Sequence, residues 1–184
     1  MNRVLSFDIE SIGLRGPGFC LGYVVWDNGQ EVDSGIIGTE VGYVTGLNRW
    51  RPSGVAIEKP CFTEDDLRWI SRNVVPHLPP LGRTDLVEVR AQFWDLWTQE
   101  RRRGAVLLVD TPFPVEHNFL AACVADDPSR LQNGTPLSVI DVNSLLLAAN
   151  IEKHPRAPDE LPAHNPVNDA RRAARLYFSV RRLL

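Results

Sequence analysis

Two carboxylates stand one residue apart near the start of the chain, in the segment "VLSFDIES" of residues 4–11. Side chains alternate between the two faces of a β-strand, so Asp8 and Glu10 share a face and lie about 6.5–7 Å apart along the strand. That spacing suits two ligands of one divalent cation, because hard cations prefer carboxylate oxygens. Taken alone, the motif is also compatible with the polar side of a half-exposed strand.

A third carboxylate, Asp169, stands in the first turn of a helix predicted over residues 166–184. Asn165 is suited to cap this helix and Pro166 to open it. The helical period aligns Asp169 with an apolar stripe of Ala173, Leu176 and Val180. Asp169 is therefore expected to face the sheet, where a bound cation would offset the cost of a buried charge. The alternative is that Asp169 merely stabilises the positive end of the helix.

Three more residues have the types that such a site needs. His164 lies in the loop five residues before Asp169, so the spacing is H-x-x-x-x-D. Asp110 ends the apolar run "AVLLVD", and sites of α/β proteins gather at the carboxyl ends of strands. Glu116 opens the helical segment "VEHNFLAACV". Asp110 as a turn residue and Glu116 as a capping residue are the structural alternatives.

Together these motifs resemble the DEDDh 3′→5′ exonucleases, a branch of the ribonuclease-H-like superfamily, over most of the chain. "FDIESIGL" is similar to the family's D-x-E-T-T-G-L, with Ser11 and Ile12 in place of the two threonines. "HNPVNDARRAA" matches the third motif through His164 and Asp169. The family's middle motif, F-D-x-x-F-L, aligns with "VEHNFL", which puts Glu116 in the register of the family's aspartate, while Asp110 has the family's residue type.

The resemblance implies a two-metal hydrolase that releases nucleoside monophosphates from the 3′ end of single-stranded DNA or RNA. Asp8 would bridge two Mg²⁺ or Mn²⁺ ions, Glu10 and Asp169 would hold the ion that activates water, and Glu116 or Asp110 would hold the second. His164 would act as general base. The alternative is a catalytically weakened module of the same fold that binds nucleic acid or protein. An endonuclease would leave His164 less well explained, and a homodimer is a further possibility.

The elements that position these residues are predicted to form a single domain over residues 1–184. A turn at Asp27, Asn28 and Gly29 joins two β-rich runs, so the chain is expected to open with three antiparallel strands. An irregular connection is expected over 39–62. Further helices are predicted over 63–78, 86–103 and the segment from 115, and strands over 105–110 and 137–142. The expected fold class is α/β, a ribonuclease-H-like mixed sheet flanked by helices.

Composition sets limits on partners and compartment. The formal charge of −3 and pI near 5.8 exclude a globally basic protein, so phosphate binding would depend on cations or local patches. Arginines 101–103 and those of the last helix are expected to be solvated, and the five tryptophans mainly packed. Cysteines 20, 61 and 123 are expected to be reduced core thiols. Without an apolar leader or a run of about 18 apolar residues, we expect no membrane contact and a cytoplasmic location.

Overall fold

The architecture is an α/β arrangement in which helices flank a mixed sheet. The computed structural model describes residues 3–49, 62–132, 138–152 and 155–181. The strands are β1 Arg3–Ser11, β2 Gly18–Asp27, β3 Gln30–Gly38, β4 Val106–Val109 and β5 Val139–Asp141. The helices are α1 Val41–Arg49, α2 Glu64–Asn73, α3 Leu86–Arg102, α4 Val115–Asp126, α5 Ser129–Gln132, α6 Val142–Ala148 and α7 Pro166–Arg181, with short 3₁₀ turns at Val75–His77 and Pro158–Glu160.

The sheet has the strand order β3-β2-β1-β4-β5. The first three strands are antiparallel, as the hairpin signal predicts, and β2 turns into β3 through Asn28 and Gly29, which both have positive φ. Strands β4 and β5 run parallel to β1. The carboxyl ends of β1, β4 and β5 therefore meet at one edge of the sheet, where any side chains that follow these strands come together.

Helices cover both faces of the sheet. On one face, Leu5, Phe7 and Ile9 of β1 pack with apolar side chains of α3 and α4. On the other face, Val4 and Leu108 pack against α6 and α7. Because α7 lies on the face to which the even-numbered residues of β1 point, it also lies on the face of Asp8 and Glu10.

Two predicted boundaries are wrong in the 39–62 and 63–78 regions. Val41–Arg49 forms helix α1 despite two glycines, because Val44 packs into a third apolar cluster with Ile12 and Phe19. Residues 50–61 lie outside the described part of the chain. The predicted helix over 63–78 ends at Asn73, and a 3₁₀ turn containing Pro76 follows, since proline cannot donate to a helical hydrogen bond.

The last predicted strand is shorter than expected, and the last predicted helix is described over most of its length. Of the strand predicted over 137–142, residue 137 lies outside the described residues and Val139–Asp141 forms β5. The Asp141 side chain accepts a hydrogen bond from the Ser144 N–H, so Val142 already opens α6. Helix α7 is described as far as Arg181, and residues 182–184 of the prediction lie outside the described residues. No helix among the described residues has the length and apolar character that crossing a bilayer requires.

Candidate metal site

Strand β1 carries the first pair of carboxylates in the middle of the sheet. Leu5, Phe7 and Ile9 belong to the apolar cluster on the α3–α4 side, and the alternation of the strand therefore turns Asp8 and Glu10 towards α7. Glu10 is only 7% exposed. The half-exposed strand is thus excluded as an explanation for this motif, because both faces of β1 are covered.

Strand β4 brings Asp110 to the same level of the sheet. In the parallel ladder Ser6 pairs with Leu108, so Asp8 and Asp110 both follow two residues later and on the same face. The backbone carbonyl of Asp110 accepts a hydrogen bond of 3.1 Å from the N–H of Asn143 at the start of α6. The tip of β4 is therefore tied to the helix that follows β5.

Helix α4 adds Glu116 from its first turn. Its side chain is 8% exposed, and burial raises its pKa to about 7, although hydrogen bonds from the backbone N–H groups of Glu116 itself and Ile9 act in the opposite direction. The nearby charge of Asp110 raises the pKa further. The contact with Ile9 shows that the Glu116 carboxylate turns back towards β1 rather than outwards.

Helix α7 brings Asp169 and His164 to the site. The Asn165 carboxamide oxygen accepts hydrogen bonds from Val167 and Asn168, as the predicted cap requires. The backbone N–H of His164 donates to Asp169 Oδ2 over 2.9 Å, and His164 has a positive φ of 61°. Within the described residues, Glu10, His164 and Asp169 offer ligand atoms that all lie within 4.8 Å of one another.

A glycine of the neighbouring strand lets α7 approach this closely. Gly22 of β2 pairs with Asp8, and a Cβ built on it would lie 2.2 Å from the backbone of both Pro166 and Val167. Any side chain at position 22 would therefore push the start of α7 away from the sheet. Sequence reasoning missed Gly22, although a glycine inside the strand "CLGYVVW" is a signal of close backbone approach.

A second residue that sequence reasoning missed is Arg156, whose guanidinium forms an ion pair with Asp169 Oδ1. Arg156 also donates to the backbone carbonyl of Glu160, and the buried Glu160 carboxylate accepts from the Ala157 N–H and from Arg175. Asp169 Oδ2 thus accepts a hydrogen bond from the chain, whereas Oδ1 has the ion pair without a hydrogen bond. No periodicity marks the proline-rich loop that carries Arg156, so nothing in the sequence pointed to this contact.

The predicted carboxylates interact strongly with one another. Burial raises the pKa of Asp8 well above its usual range, and the charges of Glu10, Asp169, Glu116 and Asp110 add to the effect. Burial, followed by the charges of Asp169 and Glu116, raises the pKa of Glu10 to about 8. The structure therefore brings all five predicted carboxylates close enough for their charges to interact, with His164 beside them. Such a cluster is costly when fully ionised, and divalent cations would lower that cost.

A small cavity of about 300 Å³ opens directly beside Glu10. It is lined by Ile9, Glu10, Ser11, Gly13, Leu14, Asp66, Trp69 and Val115. A larger groove of about 690 Å³ lies between α1, α2 and the loop after Val75, and none of the five carboxylates lines it. Of these two cavities, the smaller one is therefore the one that borders the carboxylate cluster.

Other predicted residues have structural roles. Arg171 pairs with Glu31 and Arg175 with Glu160, so the prediction that these arginines are solvated is wrong. Trp94 and Trp97 are buried as predicted, whereas Trp69 is 47% exposed. Cys20 and Cys123 are buried free thiols, and Trp50, Cys61 and Arg182 lie outside the described residues.

No protein-family model matches the chain, and no curated protein matches it either.

Proposed function

We propose that the protein is a metal-dependent 3′→5′ exonuclease that hydrolyses phosphodiester bonds of single-stranded DNA or RNA. The observation that carries the proposal is the convergence of five carboxylates from four elements, with Glu10, His164 and Asp169 within 4.8 Å of one another. A mixed five-stranded sheet flanked by helices is compatible with the ribonuclease-H-like fold that the motifs suggest.

The donor set fits Mg²⁺ or Mn²⁺. Both prefer oxygen ligands, and burial and the neighbouring carboxylates raise the pKa values of Asp8 and Glu10, which is the condition that bound cations relieve. Asp8, Glu10 and Asp169 would hold one ion, and Asp8 with Glu116 or Asp110 the other. When bound, two such ions supply a more acidic water and stabilise charge on the leaving oxygen.

The chain's own residues would supply the proton transfer. His164 is exposed at the rim of the carboxylate cluster, where its imidazole can take a proton from the attacking water. The water oxygen forms a bond to phosphorus while the bond from phosphorus to the 3′ oxygen of the preceding nucleotide breaks. That oxygen then takes a proton from solvent, and a nucleoside 5′-monophosphate leaves.

The test is cleavage of matched DNA and RNA oligonucleotides, labelled at the 5′ or 3′ end, with Mg²⁺, Mn²⁺ or excess chelator. We expect stepwise release of mononucleotides from the 3′ end with either cation, and loss of activity in chelator. Asp8→Asn and Asp169→Asn should abolish turnover, since each removes a ligand charge while keeping the side-chain shape. His164→Ala should lower turnover on the order of 10²- to 10⁴-fold.

Asp95→Asn is the matched control, because Asp95 is exposed on α3 and lies outside the site. It should cleave as the unaltered protein does. Internal cuts would identify an endonuclease instead. A mobility shift in chelator without any cleavage in Mg²⁺ or Mn²⁺ would identify a nucleic-acid-binding module and contradict the proposal.

A further inference from the structure

Arg156 contacts a carboxylate that the proposed reaction needs as a metal ligand. One terminal nitrogen of its guanidinium forms an ion pair with Asp169 Oδ1, and the other donates to the Glu160 carbonyl over 3.1 Å. Asp169 Oδ1 is buried and accepts no hydrogen bond from the described residues, whereas Oδ2 accepts one from the His164 N–H. The guanidinium is therefore the positive group that lies directly against Oδ1, and no hydrogen bond fixes it there.

Two arginines of α7 fix the loop that carries Arg156. Arg175 donates to both oxygens of the buried Glu160 carboxylate and to the Pro155 carbonyl. Arg171 donates to a further carbonyl of this loop and to both oxygens of a carboxylate on β3. These contacts hold the backbone of the loop against the helix, so Arg156 can change partner by rotation of its side chain alone.

The guanidinium of Arg156 lies where a substrate phosphate would approach. Glu10, His164 and Asp169 offer ligand atoms within 4.8 Å of one another, so an ion held there would lie beside the guanidinium. Mg²⁺ takes phosphate oxygens of a substrate into its shell, and neighbouring ligands of one octahedral ion are about 3 Å apart. A phosphate oxygen bound next to Asp169 would therefore come within reach of Arg156, whose side chain is 23% exposed.

We propose that Arg156 is a substrate-binding residue that moves from Asp169 to a phosphate oxygen of the 3′-terminal linkage once a cation is bound to Asp169. The inference rests on the proposed nuclease function and names the residue that binds the phosphate. A guanidinium suits both partners, because its planar set of N–H donors matches carboxylate and phosphate oxygens alike. Cation and guanidinium repel each other at Oδ1 but attract the same phosphate, so Arg156 binds the phosphate only when the cation is present.

The experiment measures binding rather than cleavage, by fluorescence anisotropy of labelled single-stranded oligonucleotides. Every protein carries His164→Ala, which slows turnover and keeps the oligonucleotide intact. One oligonucleotide has ordinary linkages, and the other has an uncharged methylphosphonate at its 3′-terminal linkage. The His164→Ala protein and the same protein with Arg156→Ala are titrated with both oligonucleotides, once in Mn²⁺ and once in excess chelator.

In Mn²⁺, Arg156→Ala should raise Kd on the order of 10-fold for the ordinary linkage and change it little for the methylphosphonate. The reason is that a hydrogen bond between two charged groups is lost only from the former. In chelator, both linkages should respond equally to the substitution, because the guanidinium then stays at Asp169. Equal responses of the two linkages in Mn²⁺, or the same difference between them in Mn²⁺ and in chelator, would overturn the inference.

A second variant separates the charge of Arg156 from its support of the loop. Arg156→Gln removes the charge but keeps an N–H donor for the Glu160 carbonyl, so it should give the same Kd values as Arg156→Ala. Thermal unfolding verifies that each variant folds. An Arg156→Gln protein that still distinguishes the two linkages as arginine does would contradict the inference. Arg83→Ala, at an exposed position, should bind both oligonucleotides as the His164→Ala protein does.

Failure of this inference is distinguishable from failure of the proposed function. If the protein with both His164 and Arg156 intact does not cleave the ordinary oligonucleotide in Mn²⁺, the proposed function fails, and with it the basis of the inference. If that protein cleaves and the two linkages respond equally to Arg156→Ala, only the role of Arg156 is contradicted.

Discussion

Glu116 occupies a position where the family that the motifs resemble has an aspartate, and the fold accommodates the extra methylene of glutamate. The Glu116 carboxylate accepts a hydrogen bond from the Ile9 N–H. The longer side chain therefore folds back over the end of β1 instead of extending past it. Asp110 lies on the same face as Asp8 but follows a strand rather than opening a helix. The charges of both side chains raise the pKa of Asp8, so their roles have to be separated by substituting each one.

We predict that Glu116→Gln lowers turnover far more than Asp110→Asn, on the order of 10²-fold or more. The amide keeps the side-chain shape but loses the charge that a cation requires, and Glu116 is the more buried of the two. The measurement is single-turnover cleavage with Mg²⁺. The reverse ranking would assign the second ion to Asp110, and equal losses would mean that both carboxylates hold it.

Arg156 leads to a prediction about cation affinity. Its guanidinium forms an ion pair with Asp169 Oδ1 without a hydrogen bond, and it would compete with a cation for that oxygen. We predict that Arg156→Ala binds Mn²⁺ more tightly, by several-fold to about tenfold, because the Arg156 side chain is 23% exposed and the competition is partly screened. Isothermal titration calorimetry of the nucleic-acid-free protein measures the effect.

Arg83→Ala is the control for that measurement, because Arg83 pairs with Glu40 at an exposed position away from the site. Its Mn²⁺ affinity should equal that of the unaltered protein. If Arg156→Ala binds Mn²⁺ equally or more weakly, Asp169 Oδ1 is not a ligand for the ion, and the guanidinium instead supports the site.

At the scale of elements, the approach of α7 to β2 decides whether the ligands meet. Asp169 and His164 belong to the start of α7, whereas Asp8 and Glu10 belong to β1, and Gly22 is the point where the helix start touches the sheet. We predict that Gly22→Ala lowers the free energy of unfolding by about 1–3 kcal/mol, because the backbone atoms it meets cannot rotate away. We also expect it to weaken Mn²⁺ binding, since the ligands separate.

Thermal unfolding and Mn²⁺ titration of the same preparations measure both effects. Gly42→Ala is the matched control: a Cβ at this exposed position of α1 meets no described atom within 4 Å. Alanine is the better helix former, so Gly42→Ala should be as stable or slightly more stable, by about 0.5–1 kcal/mol. A Gly22→Ala protein with unchanged stability and metal affinity would show that α7 has room to shift without consequence.

The sequence was informative where a residue's role is local and uninformative where it depends on a distant partner. The strand alternation of Asp8 and Glu10, the Asn165 cap and the Asn28–Gly29 turn follow from short-range rules, and the structure has them as predicted. Arg156 and the close approach at Gly22 depend on how α7 and its preceding loop dock on the sheet. Helix α1 was missed for the same reason, because packing of Val44 outweighs the low helix propensity of its glycines.

At the scale of the whole molecule, opposite charges are distributed unequally between the site and its surroundings. Partly buried ion pairs connect the elements around the site, as where Arg3 bridges Asp27 and Glu100, and where Arg175 pairs with Glu160. The site itself concentrates four carboxylates around that of Asp8. These ion pairs need no cation, whereas the carboxylate cluster would gain stability from one, so binding of a metal should raise the stability of the entire fold.

The pKa shifts fix the direction of the pH dependence. Folding raises the pKa of Glu10 from 4.5 to about 8 and the pKa of Glu116 from 4.5 to about 7. Between these values the folded protein keeps protons that the unfolded chain has lost, so the free energy of unfolding falls as pH rises from about 4.5 to about 8. Glu31 acts oppositely: its hydrogen bond to Arg171 lowers its pKa, and this contribution is lost as pH falls below the unfolded value of 4.5.

We therefore predict that the metal-free protein unfolds at a lower temperature at about pH 8.5 than at about pH 5.5, by more than about 5 °C. Mn²⁺ should raise the unfolding temperature strongly at the higher pH and little at the lower, because protonated carboxylates do not bind it. Glu10→Gln should flatten the metal-free profile and reduce the Mn²⁺ effect, whereas Glu88→Gln, at an exposed position of α3, should change neither. A metal-free stability that rises with pH over this range, or an equal Mn²⁺ effect at both values, would contradict a cation site built from these buried carboxylates.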